Sequence, residues 1–399
     1  MAFPYESAVR RVGAGLDERR LAKTLVRFAA QQVRGDFPGG QLVARWRGQV
    51  VARIALGVRR GWRRDEGATR EPVAIDTPFA VFSAGKPVVA LAVAICEDRG
   101  LLDVDAPIAA LVPGFGANGK QEITARDVLT HRAGLVMEEF AAHPEQWEDW
   151  DAVRRAVVEA RPASPRGKLA YSPLGFGWIL AVLVEHATGA PFHGFVAREI
   201  AAPLELPALR FGAAGRDPET FARAYWLAKR PVHVAGRDVG DGFEALHNSA
   251  EFLRALVPGA GLVCDAATLA AFYEALLRGG VARSGRPLLS ADVLARYLRR
   301  EVFGFDRSNR TPLSVGRGFL LGTPFPSVYG AFGTSRCFGH AGAFSSVAFA
   351  DPEREVAAAI ITNGNGSRGD LLRRFMPLCA ALRKACPPLP GPVVGLFAA

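Results

Sequence analysis

At 399 residues the chain is long for one ordinary core, so one large domain or two packed domains is expected. Hydrophobic residues make up 49% and charged residues 22%, a globular balance that excludes wholesale disorder. The net charge of +10 comes from arginines spread along the chain, with short runs such as Arg59-Arg60, Arg63-Arg64 and Arg299-Arg300; nucleic-acid binding needs a clustered patch, so no nucleic-acid partner is expected.

The N-terminal stretch lacks the unbroken apolar run of a secretory signal and reads as an amphipathic helix over about residues 16–33. Residues 41–46 and 50–56 are β-rich and flank Arg47-Gly48-Gln49, which predicts a hairpin. Residues 76–81 lead into a helix over 86–99, apolar on nearly all sides until Glu97 and ended by Gly100. Its apolar run, 87–96, is too short to span a bilayer. Between about 107 and 300 helical segments dominate: 124–129, 150–160, 176–188, 191–200 and 266–278. Strand patterns return at 343–350 and 355–362, around the turn Asp351-Pro352-Glu353-Arg354, and a helix follows over 369–384. The tail, 387–399, is Pro-rich.

Strands at both ends and helices between them predict a discontinuous α/β domain, 1–106 with 315–386, and a mainly helical inserted domain, 107–314. The five cysteines, Cys96, Cys264, Cys337, Cys379 and Cys386, are odd in number and widely spaced. They imply neither a disulfide framework nor a zinc site. With no export signal visible, free thiols and a cytoplasmic location are expected.

The segment that carries chemistry is Phe82-Ser83-Ala84-Gly85-Lys86-Pro87. Ser83 and Lys86 stand three apart and share a face on a helix. Pro87 belongs in the first helical turn, where its missing N–H costs nothing. Ser83 therefore sits at the helix start, beside unpaired N–H groups suited to an oxyanion. Burial beside the serine favours the neutral form of Lys86, and a tyrosine next to that lysine would lose its proton more easily.

The stretch from Phe82 to Leu135 resembles the nucleophile region of the serine β-lactamase/penicillin-binding-protein superfamily: class C β-lactamases, family VIII carboxylesterases and D-alanyl-D-alanine peptidases. The resemblance includes Gly100 to Pro107 and the run Leu129-Thr130-His131-Arg132-Ala133-Gly134-Leu135, whose role in the superfamily is structural. Tyr171-Ser172-Pro173 resembles the superfamily's tyrosine motif, with Pro173 where Asn is usual. Proline has no side-chain group to hold a substrate amide, which suits esters better than β-lactams. His340-Ala341-Gly342 resembles the H-x-G variant of the superfamily's third motif. By that resemblance His340 lines the site, Gly342 lets the strand approach a ligand, and Ala343 N–H joins Ser83 N–H as oxyanion donors. Gly259 to Asp265 resembles a glycine-rich loop near the cleft, to which no chemistry is assigned.

The resemblance spans about residues 38–378. It implies an α+β, β-lactamase/transpeptidase-like fold, an antiparallel sheet flanked by helices with a mostly α-helical insertion. It implies a serine hydrolase that forms an acyl-enzyme on small ester or amide substrates. The catalytic residues are then Ser83, Lys86 and Tyr171, with no cofactor and no metal. An acyltransferase, β-lactamase or D-alanyl peptidase would use the same residues, and a sensor on this fold would bind without turnover. Trp147, Trp150 and Trp226 fit an acyl pocket and a core equally well. Gly114 to Lys120 satisfies G-x-x-x-x-G-K, but Gln121 replaces the Ser/Thr a phosphate loop needs, so a plain loop is expected. Val81 stands where G-x-S-x-G needs its first glycine, so no α/β-hydrolase elbow surrounds Ser83.

Overall fold

The computed structural model describes residues 15–390 except positions 68, 214, 230, 235, 236, 239, 241, 283, 332 and 333. Most of the Pro-rich tail thus lies outside the described residues.

Nine strands form one antiparallel sheet: β1 (Gly39–Trp46), β2 (Gln49–Arg60), β3 (Glu71–Pro72), β4 (Val302–Asp306), β5 (Thr311–Val315), β6 (Leu320–Leu321), β7 (Phe338–Gly342), β8 (Ser346–Asp351) and β9 (Val356–Thr362). Their spatial order is β4-β5-β6-β7-β8-β9-β1-β2-β3. The two ends of the chain meet at the centre, where Gly40 pairs with Thr362 and Trp46 with Val356. β9 reads Val-Ala-Ala-Ala-Ile-Ile-Thr and is buried throughout. Ala357, Ala359 and Ile361 join the core shared with helix Ala266–Leu277. Val356, Ala358 and Ile360 join the core under helices Glu18–Val33 and Arg368–Ala385. A strand covered on both faces needs an apolar run without alternation, and this one has it.

The helix Lys86–Asp98 is buried from Lys86 to Cys96. It packs on Gly175–Thr188, which is likewise buried from Gly175 to Glu185. Gly100 ends the first helix at φ +68°, a conformation only glycine adopts without strain. The helices expected from the sequence at 150–160, 176–188 and 266–278 form over Trp150–Glu159, Gly175–Thr188 and Ala266–Leu277. All five cysteines are buried free thiols. Among the described residues no single helix is long and apolar enough to cross a membrane.

Two readings of the sequence need correction. Strands β4 and β5 fall in the stretch read as helical, yet they extend the sheet at its edge. Their exposed Phe303 and Phe305 alternate with Gly304 and break the usual apolar-in pattern. The strand expected from residue 343 begins instead at Ser346. Ala343 and Phe344 take φ +36° and +63° in a tight turn from β7 to β8.

Candidate active site

Ser83 is presented by a strained turn. Val81 N–H donates to Leu262 O at 2.9 Å, and Phe82 takes φ +51°, a conformation costly for an aromatic residue. A 3-10 turn, Phe82–Gly85, runs directly into the helix that begins at Lys86, with Pro87 in its first turn. A Cβ on Gly85 would stand 2.5 Å from the Leu262 Cβ, so glycine is what lets this turn lie against strand Leu262–Cys264.

Lys86 is fully buried, and its Nζ has three neighbours. It lies 2.7 Å from Pro173 O, 2.7 Å from Gly259 O and 3.0 Å from Ser83 Oγ. Burial holds its pKa well below the ordinary lysine value. A neutral amine has two N–H groups and one lone pair. Carbonyl oxygens only accept, so Pro173 O and Gly259 O take both N–H groups. In that neutral form the lone pair faces Ser83, whose O–H can donate to it, whereas the ammonium form donates to Ser83 Oγ.

Tyr171 packs 4.4 Å from the His131 ring, centroid to centroid, and Lys86 Nζ stands 5.1 Å from its ring centre. Its backbone N–H donates to Asp306 Oδ1 at 2.8 Å. Burial pushes the phenol pKa up; interaction with the Ser83 hydroxyl opposes that, and the nearby Asp306 charge adds to it. This corrects the expectation that Tyr171 would lose its proton more easily. A neutral Lys86 supplies no positive charge to favour phenolate.

His131 has the structural place expected of it. Ser172 N–H donates to its Nδ1 at 3.2 Å, and Ser172 Oγ–H donates to Leu135 O at 2.7 Å. The segment 129–135 thereby fixes the segment carrying Tyr171. Burial keeps His131 neutral, and its Nδ1 can accept only in that form.

On the facing strand, His340 Nδ1 lies 2.7 Å from Ala341 O and must donate there. Its Nε2 is therefore an acceptor. Burial lowers its pKa to about 3. Its ring centre is 6.2 Å from that of Tyr171. A Cβ on Gly342 would stand 2.0 Å from Val81 O and 3.0 Å from Ala84 N, so only glycine lets β7 close against the Ser83 turn. Ser346 Oγ–H donates to Val81 O at 2.8 Å and ties β8 to the same turn.

Ser83, Tyr171, His340 and Ala343 open together onto one mostly apolar cavity of about 780 Å³. Lys86 lies behind Ser83. Gly342 shapes the wall without lining it. Trp226 and Trp147 line the cavity, Trp147 while 1% exposed. Trp150 is a packing residue instead, its Nε1–H donating to Glu185 at 2.7 Å. Two groups that contact the site had no sequence signal. The Gly259 carbonyl belongs to a loop to which no chemistry was assigned. Asp306 is fully buried and also accepts from Ser308 N at 3.1 Å and Asn309 N at 3.1 Å. In the loop Gly114 to Lys120, the Lys120 amine is spent on Ala117 O, Val158 O and Ala160 O, an arrangement that braces the loop.

The sequence model of the Beta-lactamase family matches residues 19–378. The chain belongs to this family. Esterase/beta-lactamase LipL of Mycobacterium tuberculosis (strain ATCC 25618 / H37Rv) is 32% identical over 377 residues, covering 89% of this chain and 84% of LipL. A penicillin-binding protein homologue from Caulobacter crescentus superposes with TM-score 0.78 at 26% identity, over 93% of this chain and 99% of its own. A family VIII carboxylesterase superposes with TM-score 0.76 at 24% identity, over 93% and 98%, and speaks to the fold alone. The α+β fold, with its large antiparallel sheet and helical flanks, is that of the family's β-lactamase/transpeptidase members.

Proposed function

We propose that this Beta-lactamase-family protein is a serine hydrolase acting through an acyl-enzyme on small esters, with amides as a lesser option. The observation that carries this reading is the placement of Lys86. Two carbonyls at 2.7 Å orient a neutral amine so that its lone pair meets Ser83 Oγ at 3.0 Å. A sensor has no use for a desolvated, aimed base.

Ser83 Oγ attacks the ester carbonyl while its proton passes to Lys86. The amides of Ser83 and Ala343 hold the oxyanion, with Gly342 allowing the two segments to meet. The leaving alcohol departs with a proton delivered from Lys86 by way of the Tyr171 hydroxyl. Water then attacks the acyl-enzyme and gives its proton to the same pair, which returns it to Ser83 Oγ as the acyl–Oγ bond breaks and the acid is released. Neutral His340 lines the site as an acceptor. Pro173 contributes its carbonyl to Lys86 and offers substrate no amide-binding side chain, which favours esters. The likeness to LipL, an esterase by name, supports the same class.

The test is hydrolysis of p-nitrophenyl butyrate by the wild type and by Ser83→Ala. Turnover that disappears in the variant is the expected result. Equal turnover in both removes Ser83 from the mechanism.

A further inference from the structure

His247 plays no part in the chemistry above, yet its ring lines the same cavity. It ends the short helix Phe243–His247. Three aromatic rings surround it: Phe243 at 4.1 Å, Phe252 at 4.8 Å and Phe82 at 5.1 Å between ring centres. Phe82 is the residue immediately before the nucleophile. This packing fixes the plane of the imidazole, and one hydrogen bond fixes its tautomer. Nδ1 lies 2.9 Å from Phe243 O, which can only accept. The proton therefore sits on Nδ1, and Nε2 carries a bare lone pair. Among the described residues no side chain or backbone group donates to it. Burial lowers the pKa to about 4, so the ring is neutral at ordinary pH. Trp147, Trp226, Phe243, Leu246 and Phe252 line the cavity with it.

A fixed acceptor in an aromatic pocket is poorly matched to a plain hydrocarbon. Covering it with an alkyl group strips its water and leaves it unpaired, whereas a hydroxyl or N–H restores the bond. The direction of the substrate follows from the proposed mechanism, on which this step rests. The leaving alcohol must reach the proton held by Lys86 and Tyr171, and Tyr171 is tied to Asp306 at the end of β4. The wall built on Phe82 is left for the acyl group.

We propose that His247 is a specificity-determining residue: its Nε2 accepts a hydrogen bond from a hydroxyl or N–H carried on an otherwise apolar or aromatic acyl group. The preferred substrates are then hydroxylated or N–H-bearing acyl esters, not simple fatty esters.

The experiment compares isosteric pairs that differ only in the donor. Ethyl 4-hydroxyphenylacetate is set against ethyl 4-methylphenylacetate, and ethyl 3-hydroxybutyrate against ethyl 3-methylbutyrate. In the wild type, kcat/KM for the hydroxylated member of at least one pair is expected to exceed its partner's by about tenfold or more. In His247→Phe, or His247→Leu if the first does not fold, that ratio is expected to fall to near one, whatever happens to the absolute rates. The same pairs are titrated into Ser83→Ala protein by calorimetry, where the Kd ratio should favour the hydroxyl similarly. Absence of ester turnover in the wild type overturns the hydrolase reading, while the Kd ratio still decides the role of His247. Ratios near one for both pairs in wild-type kinetics and in Ser83→Ala binding overturn the proposal. So does a preference that the His247 variants retain.

Discussion

Gly177 and Gly259 touch backbone to backbone: a Cβ on Gly177 would stand 2.0 Å from Gly259 N and 2.6 Å from Gly259 Cα. This contact seats the Gly259 carbonyl on Lys86. Gly177→Ala must push the 259 loop away or bend the buried helix Gly175–Thr188. The expected outcome is a fall in kcat of about tenfold or more and a loss of about 1–3 kcal/mol of stability. Ester kinetics and thermal unfolding read the two effects, and an alanine variant with wild-type kcat would contradict the role given to that carbonyl.

Lys86 should make both activity and stability depend on pH. Its folded pKa lies well below the ordinary lysine value of 10.5. Activity should therefore rise as pH rises through the depressed value, where the amine becomes a base. In the unfolded chain the amine stays protonated up to its ordinary value, so the unfolded state binds the extra proton. Stability must then increase with pH between those two values. The contribution is up to about 1.4 kcal/mol per pH unit. Denaturant titrations between about pH 7 and 8.5 should give a flatter slope for Lys86→Met than for wild type. That window lies above the His131, His247 and His340 transitions, all depressed from 6.5. An identical slope would mean the lysine is charged in the fold.

Tyr171 holds its proton tightly, because burial raises its pKa above the ordinary tyrosine value. It should act as a donor across the neutral range. Tyr171→Phe is expected to lower kcat for p-nitrophenyl butyrate by about 10²-fold or more, with a smaller change in KM. The loss should be greater for an alkyl ester, whose leaving alcohol needs a proton, than for a p-nitrophenyl ester, whose phenolate leaves without one. Equal losses on both substrates would remove the acid role.

Asp306 positions that tyrosine without touching substrate chemistry. Its carboxylate takes the N–H groups of Tyr171, Ser308 and Asn309. Asp306→Ala leaves buried donors unpaired, at a cost of about 2–4 kcal/mol. kcat should fall while KM for a small ester changes little, and Asp306→Asn, which keeps one acceptor oxygen, should recover part of both losses. A drop in stability with kcat untouched would make Asp306 a packing residue alone.

How much of this was legible beforehand depends on distance along the chain. Ser83 and Lys86 are three residues apart, so helical geometry alone puts them on one face. Tyr171 and His340 came from motif order, and both open onto the cavity that Ser83 opens onto. The Gly259 carbonyl was not legible because a backbone oxygen leaves no mark in residue type. Asp306 was not legible because its partner is 135 positions away. Strand β4 was missed because its large residues Phe303 and Phe305 are exposed, and periodicity identifies only what is buried in the ordinary sense. The tyrosine's proton was misjudged for a related reason. Its acidity depends on whether its lysine neighbour is charged, and the burial that lowers that lysine's pKa is built by segments far along the chain, among them those at 173 and 259.

The pairing of Gly40 with Thr362 also has a bearing on how the protein is made. The helix that carries Ser83 and Lys86 leaves the ribosome early, but the central strand partner of β1 and the glycine strand that closes on Ser83 leave late. The nascent chain must keep β1, an apolar strand, from other partners while some three hundred residues are added. Chaperone dependence and slow refolding are to be expected of the half that carries Ser83, because the strand bearing Gly342 can close on Ser83 only once both have been made.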